Sequence, residues 1–266
     1  NIDNEVFGIS VSAPSATTTT EAGGKVTFTV KLLSKPTANV TVPISSNDTT
    51  EGTVSVSSLT FTSTNWSTAQ TVTVTGVNDN VDDGDIAYKA VIGSSTSTDA
   101  KYNGINPDDI SLTNTDDDTA GITVSAPSAT KTTEAAGKVT FTVKLNSQPT
   151  ANVTIPISSS DTTEGTVSAS SLTFTSSNWN TAQTVTVTGV NDNVDDGDIA
   201  YSVIVGAATS SDTLYNGMNP DDVALTNTDD DTAGVTVSAP SATKTTEAGG
   251  KVTFTVKLNS EPLANV

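Results

Sequence analysis

The stretch KVTFTVKL, Lys25 to Leu32, puts Val26, Phe28, Val30 and Leu32 at alternate positions with Lys and Thr between them. Successive side chains of an extended strand point to opposite faces, so this spacing buries one face and wets the other. Six more runs of strand composition surround it: GISVS from Gly8, NVTVPIS from Asn39, GTVSV with SLTFT between Gly52 and Thr62, QTVTVT from Gln70, IAYKAVI from Ile86 and DISLTN from Asp109. Seven strands in about 110 residues, punctuated by turn residues, predict an all-β, immunoglobulin-like, seven-stranded antiparallel sandwich, with an up-and-down barrel as the alternative. Trp66 and Tyr88 belong in or beside its core, their polar atoms reaching partners at the margin.

The same eight letters return at Lys138 to Leu145 and Lys251 to Leu258, a spacing of 113 that also aligns Trp66 with Trp179 and Asn114 with Asn227. About four fifths of the first unit is identical in the second, without insertion or deletion. NIDNEVFG at the start aligns with NTDDDTAG at Asn114 and Asn227, which sets the boundaries. Residues 1–5 end a preceding junction, 6–118 form repeat 1, 119–231 repeat 2, and 232–266 the first strands of a third repeat. About 35 residues cannot bury a sandwich core alone. Either the sequence is a window from a longer array, or these strands pair with another copy by strand addition, making a head-to-tail homo-oligomer or fibre.

With 30 acidic residues against 11 basic ones the net charge is −19, which argues against nucleic acid as a partner. Without Cys or His the chain has no thiolate or imidazole chemistry, and no apolar run approaches the roughly 20 residues that span a bilayer. Neither a G-x-S-x-G elbow nor a Gly-rich phosphate loop is present, and the acids lie together in wet loops instead of environments that would separate their pKa values, so no enzyme is expected.

The acids cluster. VNDNVDDGD, Val77 to Asp85, holds four Asp and two Asn in nine residues and recurs letter for letter as Val190 to Asp198. If seven strands alternate up and down, the loops with Glu21, with Asp48 and Glu51, with VNDNVDDGD, and the run Asp116 to Asp118 all reach one pole. Carboxylates about 5 Å apart repel by roughly 3 kcal/mol per pair at an effective dielectric of about 20, so a counter-ion is called for. Most lysines lie on or beside strands, away from that pole. Ca²⁺, which takes 6 to 8 oxygen ligands, suits an all-oxygen donor set. The loop is not an EF-hand, because counting from Asp79 puts Val81 at the third ligand position and Ala90 where the bidentate Glu belongs. The blander alternative is a solvated turn whose Asn and Asp serve the backbone.

These residues resemble the Calx-beta domain family over the whole 113-residue unit. TTEAGGKVTFTVKL resembles the family's opening, with Glu21, Glu134 and Glu247 at its acidic position; SLTFTSTNWSTAQTVTVTGVND resembles its central strands and NTDDD its acidic end. The resemblance implies calcium ligands at Glu21, Asp79, Asp83, Asp116 and Asp118, and at Glu134, Asp192, Asp196, Asp229 and Asp231. Asp82, Asp85 and Asp117, with Asp195, Asp198 and Asp230, are second choices. Ile86 stands where the family commonly has a second loop Glu, and Asp83 replaces the first.

Asp118 runs directly into Thr119 and the next strand, so neighbouring repeats in the chain are the expected partners and calcium there would stiffen the array. The expectation is a structural, calcium-binding segment of a long secreted or cell-surface bacterial protein: a stalk, adhesin shaft or filament. A carbohydrate- or protein-binding module, using Trp66 for stacking, and a calcium sensor are the alternatives. The loop GSSTSTDAKYNGINPDD from Gly93 falls at the opposite pole and is expected to touch a preceding domain.

Overall fold

A computed structural model of the chain describes residues 5–266, so the junction assigned to residues 1–5 lies, apart from Glu5, outside the described residues. The chain divides between Thr119 and Ala120 into two compact units. The first holds β1 (Ile9–Val11), β2 (Thr18–Thr20), β3 (Lys25–Leu32), β4 (Val40–Ser46), β5 (Gly52–Val54), β6 (Ser58–Phe61), β7 (Gln70–Gly76), β8 (Ile86–Ile92) and β9 (Ile110–Thr115). One sheet runs β1-β3-β7-β5 and the other β2-β9-β8-β4-β6, an open sandwich rather than a barrel.

Among the described residues of the first unit the strands number nine, not seven: the run from Gly52 to Thr62, expected as one strand, forms two in different sheets, and β2 is a strand that none of the expected runs covers. β1 pairs with β3 in register Ile9↔Leu32, while β2 joins the other sheet beside β9, with Thr18 opposite Thr113. Between them Pro14 has no N–H to give a ladder. The β3 donors left over are taken by side chains: Thr29 and Thr27 N–H donate to Ser12 and Ser15 Oγ, both at 2.9 Å. Likewise β5 pairs with β7 and β6 with β4. The β2–β9 pair is parallel, a departure from the all-antiparallel expectation that arises because the first segment enters the second sheet alongside the last strand instead of through a hairpin.

The core lies between the sheets. Val26, Phe28, Val30 and Leu32 of β3 are all buried, and Val72 and Val74 of β7 lie beside them. Val40, Val42 and Ile44 of β4, with Tyr88, Ala90 and Ile92 of β8, face them. Trp66 packs, half buried, against this cluster. The loop from Gly93 is anchored in its own sandwich: Tyr102 is buried, and its hydroxyl donates to Ser34 O at 2.6 Å while accepting from Ser34 N–H at 3.0 Å.

The second unit repeats this design. Its strands are β10 (Ile122–Val124), β11 (Lys131–Thr133), β12 (Lys138–Leu145), β13 (Val153–Ser159), β14 (Gly165–Val167), β15 (Ser171–Phe174), β16 (Gln183–Gly189), β17 (Ile199–Val205) and β18 (Val223–Thr228). They form sheets β10-β12-β16-β14 and β11-β18-β17-β13-β15. Beyond them β19 (Val235–Val237) and β20 (Val256–Leu258) make a two-stranded pair on which Val235, Val237 and Val256 are exposed. Among the described residues no helix is long and apolar enough to cross a membrane.

Candidate metal centre

The parallel pairing of β2 and β9 brings the acids together. Both strands end at the same pole, so Glu21 leaves one and Asp116 the other side by side, with Glu21 N–H donating to Thr115 O at 3.1 Å. The loop after β7 adds Val77 to Asp85, and the loop after β4 adds Asp48 to Glu51, its backbone tied to the first by a bond from Val77 N–H to Glu51 O at 3.0 Å. Gly84 adopts φ 76°, a left-handed backbone that a side chain resists, and its N–H donates to Asp116 Oδ2 at 2.8 Å.

Two carboxylate groups result. Glu21, Asp116 and Asp118 form one, and Glu51, Asp79 and Asp83 the other, with one ligand atom per residue lying within 4.8 Å of the rest of its group. The second repeat has Glu134, Asp229 and Asp231, and Glu164, Asp192 and Asp196. Each group combines one buried Glu, Glu21 being only 4% exposed and Glu51 6%, with two more accessible Asp.

Burial and the crowding of like charges set the electrostatics of these groups. Glu21 is pushed up to about 7, chiefly because burial disfavours its charge, and further by Asp79, Asp116 and Asp118. Burial likewise raises Glu51, Asp83 and Asp118, with neighbouring carboxylates adding to it. Glu134, Glu164 and Asp231 are raised for the same reasons. Asp48 stands outside this set, lowered by the hydroxyl and N–H of Thr50. The six grouped carboxylates of each repeat offer only hard oxygen donors, which fits a cation such as Ca²⁺ and not the sulfur and nitrogen preferences of softer metals.

The Calx-beta domain family model matches the chain twice, over residues 3–119 and 116–232. The chain belongs to the Calx-beta domain family. Calx-beta domains are binding and structural modules. Among solved structures, CBD12 from CALX1.2 is similar at 14% identity over 79% of this chain and 95% of that one, with a TM-score of 0.37. The calcium binding domain CBD12 of CALX1.1 is similar at 14% identity over 79% and 96%, with a TM-score of 0.38. Domains 4–9 of the surface layer protein SbsC give 22% identity over 89% and 34%, with a TM-score of 0.24. No curated protein matches the sequence.

In each Calx-beta repeat the five residues expected as one ligand set fall into the two groups. Glu21, Asp116 and Asp118 stay together, while Asp79 and Asp83 gather around Glu51, which the expected set left out; Glu164 is its counterpart. None of the second choices falls in either group among the described residues. Asp85 Oδ1 accepts from Asp116 N–H at 3.1 Å, and Asp117 N–H donates to Glu21 Oε2 at 3.4 Å, as Asp230 N–H does to Glu134. Asp198 pairs with Lys131 at 2.8 Å and is lowered by it, so one lysine does reach this pole, on β11 where repeat 1 has Thr18. Asp195 accepts from Ala233 N–H at 2.6 Å. Asp82 belongs to neither group, and Glu247 is exposed and in no such group among the described residues.

Proposed function

We propose that this chain is a calcium-binding structural segment of a long secreted or cell-surface protein, a stalk, adhesin shaft or filament whose Calx-beta repeats are stiffened by the ion. Glu21, Asp116 and Asp118 would hold one ion and Glu51, Asp79 and Asp83 another, with the corresponding residues of repeat 2 doing the same. Bound Ca²⁺ supplies positive charge that removes the mutual repulsion at the pole.

The observation that carries this reading is in the second unit. The loop that contributes Asp192 and Asp196 to a carboxylate group also grips the chain that follows. Asp195 accepts from Ala233 N–H and the Asn193 carbonyl accepts from Glu261 N–H, each at 2.6 Å. A cation that orders this loop therefore orders the start of the next repeat. An ion present at about 100 times its dissociation constant would add roughly 2.7 kcal/mol per site to the folded state.

Small-angle scattering of the full chain in calcium and in chelator tests the proposal. Calcium should narrow the distribution of end-to-end distances; an unchanged profile would refute stiffening. Calorimetry separates the sensor alternative, because roughly millimolar affinity belongs to extracellular structural sites and micromolar affinity to sensors.

A further inference from the structure

Beneath the carboxylates lies a buried polar network that the metal groups themselves do not account for. Asn114, on β9, is 1% exposed, Thr19, on β2, is fully buried, and Tyr88, on β8, is 2% exposed. Asn114 Nδ2 donates to Val77 O at 2.9 Å and points its other hydrogen at Glu51 Oε2 from 3.5 Å. A carbonyl and a carboxylate can only accept, which fixes Nδ2 on that side and Oδ1 on the other. Oδ1 accepts from Thr19 Oγ1 at 2.9 Å. That uses the hydroxyl's one hydrogen, so Tyr88 OH is the donor in the 2.9 Å contact with Thr19 Oγ1. The bonds thus run in one direction, from Tyr88 through Thr19 to Asn114, and each polarises the next.

The places this network touches are the roots of the ligands. Thr19 lies two residues before Glu21, Asn114 two before Asp116, and Val77 two before Asp79, while Glu51 is contacted directly. The fold leaves space for it at two glycines. A Cβ on Gly52 would lie 2.3 Å from the Tyr88 ring, and one on Gly76 2.5 Å from Asn114 Oδ1. Repeat 2 rebuilds the whole arrangement. Asn227 Nδ2 donates to Val190 O at 2.9 Å and faces Glu164 Oε2 at 3.4 Å, Thr132 Oγ1 donates to Asn227 Oδ1 at 2.9 Å, and Tyr201 OH lies 3.0 Å from Thr132.

We propose that Asn114, and Asn227 in repeat 2, is the positioning residue of the metal pole: its one side chain ties together the three strand ends and the buried Glu from which both carboxylate groups are built. This rests on the calcium reading above. Asn114 touches no ion; it holds the Glu51 carboxylate and the root of the Asp79 loop in place, and through Thr19 it fixes the strand from which Glu21 emerges.

The test is calcium calorimetry on the full chain carrying Asn114→Leu, with Thr19→Val as a milder variant that keeps side-chain size and removes only the hydroxyl. Tyr102→Phe, which loses a buried hydroxyl at the opposite pole, serves as the comparison for stability alone. Outer partners of metal ligands typically contribute about 10- to 100-fold in affinity. Asn114→Leu should therefore weaken the repeat 1 sites by about 10- to 100-fold and leave those of repeat 2 unchanged, splitting the isotherm into two phases. Thr19→Val should weaken the same sites by less, and Tyr102→Phe should lower the melting temperature without changing affinity. Wild-type affinity in Asn114→Leu alongside a lowered melting temperature would overturn the proposal. Should that variant fail to fold, wild-type affinity in Thr19→Val would overturn it equally. A wild-type chain that takes up no calcium would instead overturn the calcium reading itself, and this inference with it.

Discussion

Replacing Glu21 by Gln should stabilise the protein in chelator and destabilise it in calcium, a reversal that follows from the burial of this one carboxyl. Its pKa rises from 4.5 to about 7 on folding. Between those values the folded state holds more protons than the unfolded one, so stability declines as pH climbs through the window. Below pH 4.5 the group is protonated in both states and nothing is lost. Above pH 7 the ionised form costs the fold about 3 kcal/mol, at 1.36 kcal/mol for each pKa unit. Gln has nearly the same shape, keeps an oxygen to accept the Asp117 N–H, and carries no charge to desolvate. For a repeat of 113 residues, about 3 kcal/mol amounts to a rise of roughly 10 °C in melting temperature at pH 8. At pH 4 the gain should vanish. Adding calcium should reverse the order, because the wild-type chain then gains a ligand that the variant lacks. Circular dichroism melts at the two pH values, in chelator and then in calcium, would decide the matter. A variant no more stable than wild type in chelator at pH 8, or one equally stabilised at pH 4, would refute the reasoning.

The other expected outcomes follow from single contacts. Gly52→Ala drives a methyl group to 2.3 Å from the Tyr88 ring and should cost about 1–3 kcal/mol in urea denaturation; a cost below about 0.5 kcal/mol would show that the ring moves aside freely. Tyr102→Phe leaves the buried N–H and C=O of Ser34 without the hydroxyl and should cost about 1–3 kcal/mol in the same assay. Calcium affinity should climb as pH rises to about 7 and level off above it, since Glu21 must shed its proton to bind. Calorimetry in two buffers of different ionisation enthalpy would detect that proton, and a heat independent of buffer at pH 6 would contradict it.

Strand β3 is readable in the sequence because eight residues of strict alternation leave no other period, and β7 and β8 are nearly as plain. The short strand β2 is not, and β5 and β6 show only as one run, since three or four residues cannot display a period and their sheet is chosen by distant partners. The acidic pole was legible from loop parity alone, because strands that alternate in direction return every second loop to the same end. Its division into two groups was not. Glu51 sat at the right pole by parity, but only the three-dimensional separation between side chains shows it beside Asp79 and Asp83 and away from Asp118. Lys131 reaching Asp198 was equally hidden, since the lysine and its partner lie 67 residues apart.

The parallel pair β2–β9 joins the second strand of a repeat to its last, so the group of Glu21, Asp116 and Asp118 is completed by residues nearly a whole repeat apart. An ion held there closes a loop of about 95 residues, as a covalent crosslink would. No fragment that lacks β9 can assemble that group, so ion capture comes after the long-range pairing that makes β-sandwiches slow to fold. A chain threaded from its N-terminus would therefore lock each repeat only once that repeat was whole, and the array would set in sequence, one finished segment at a time.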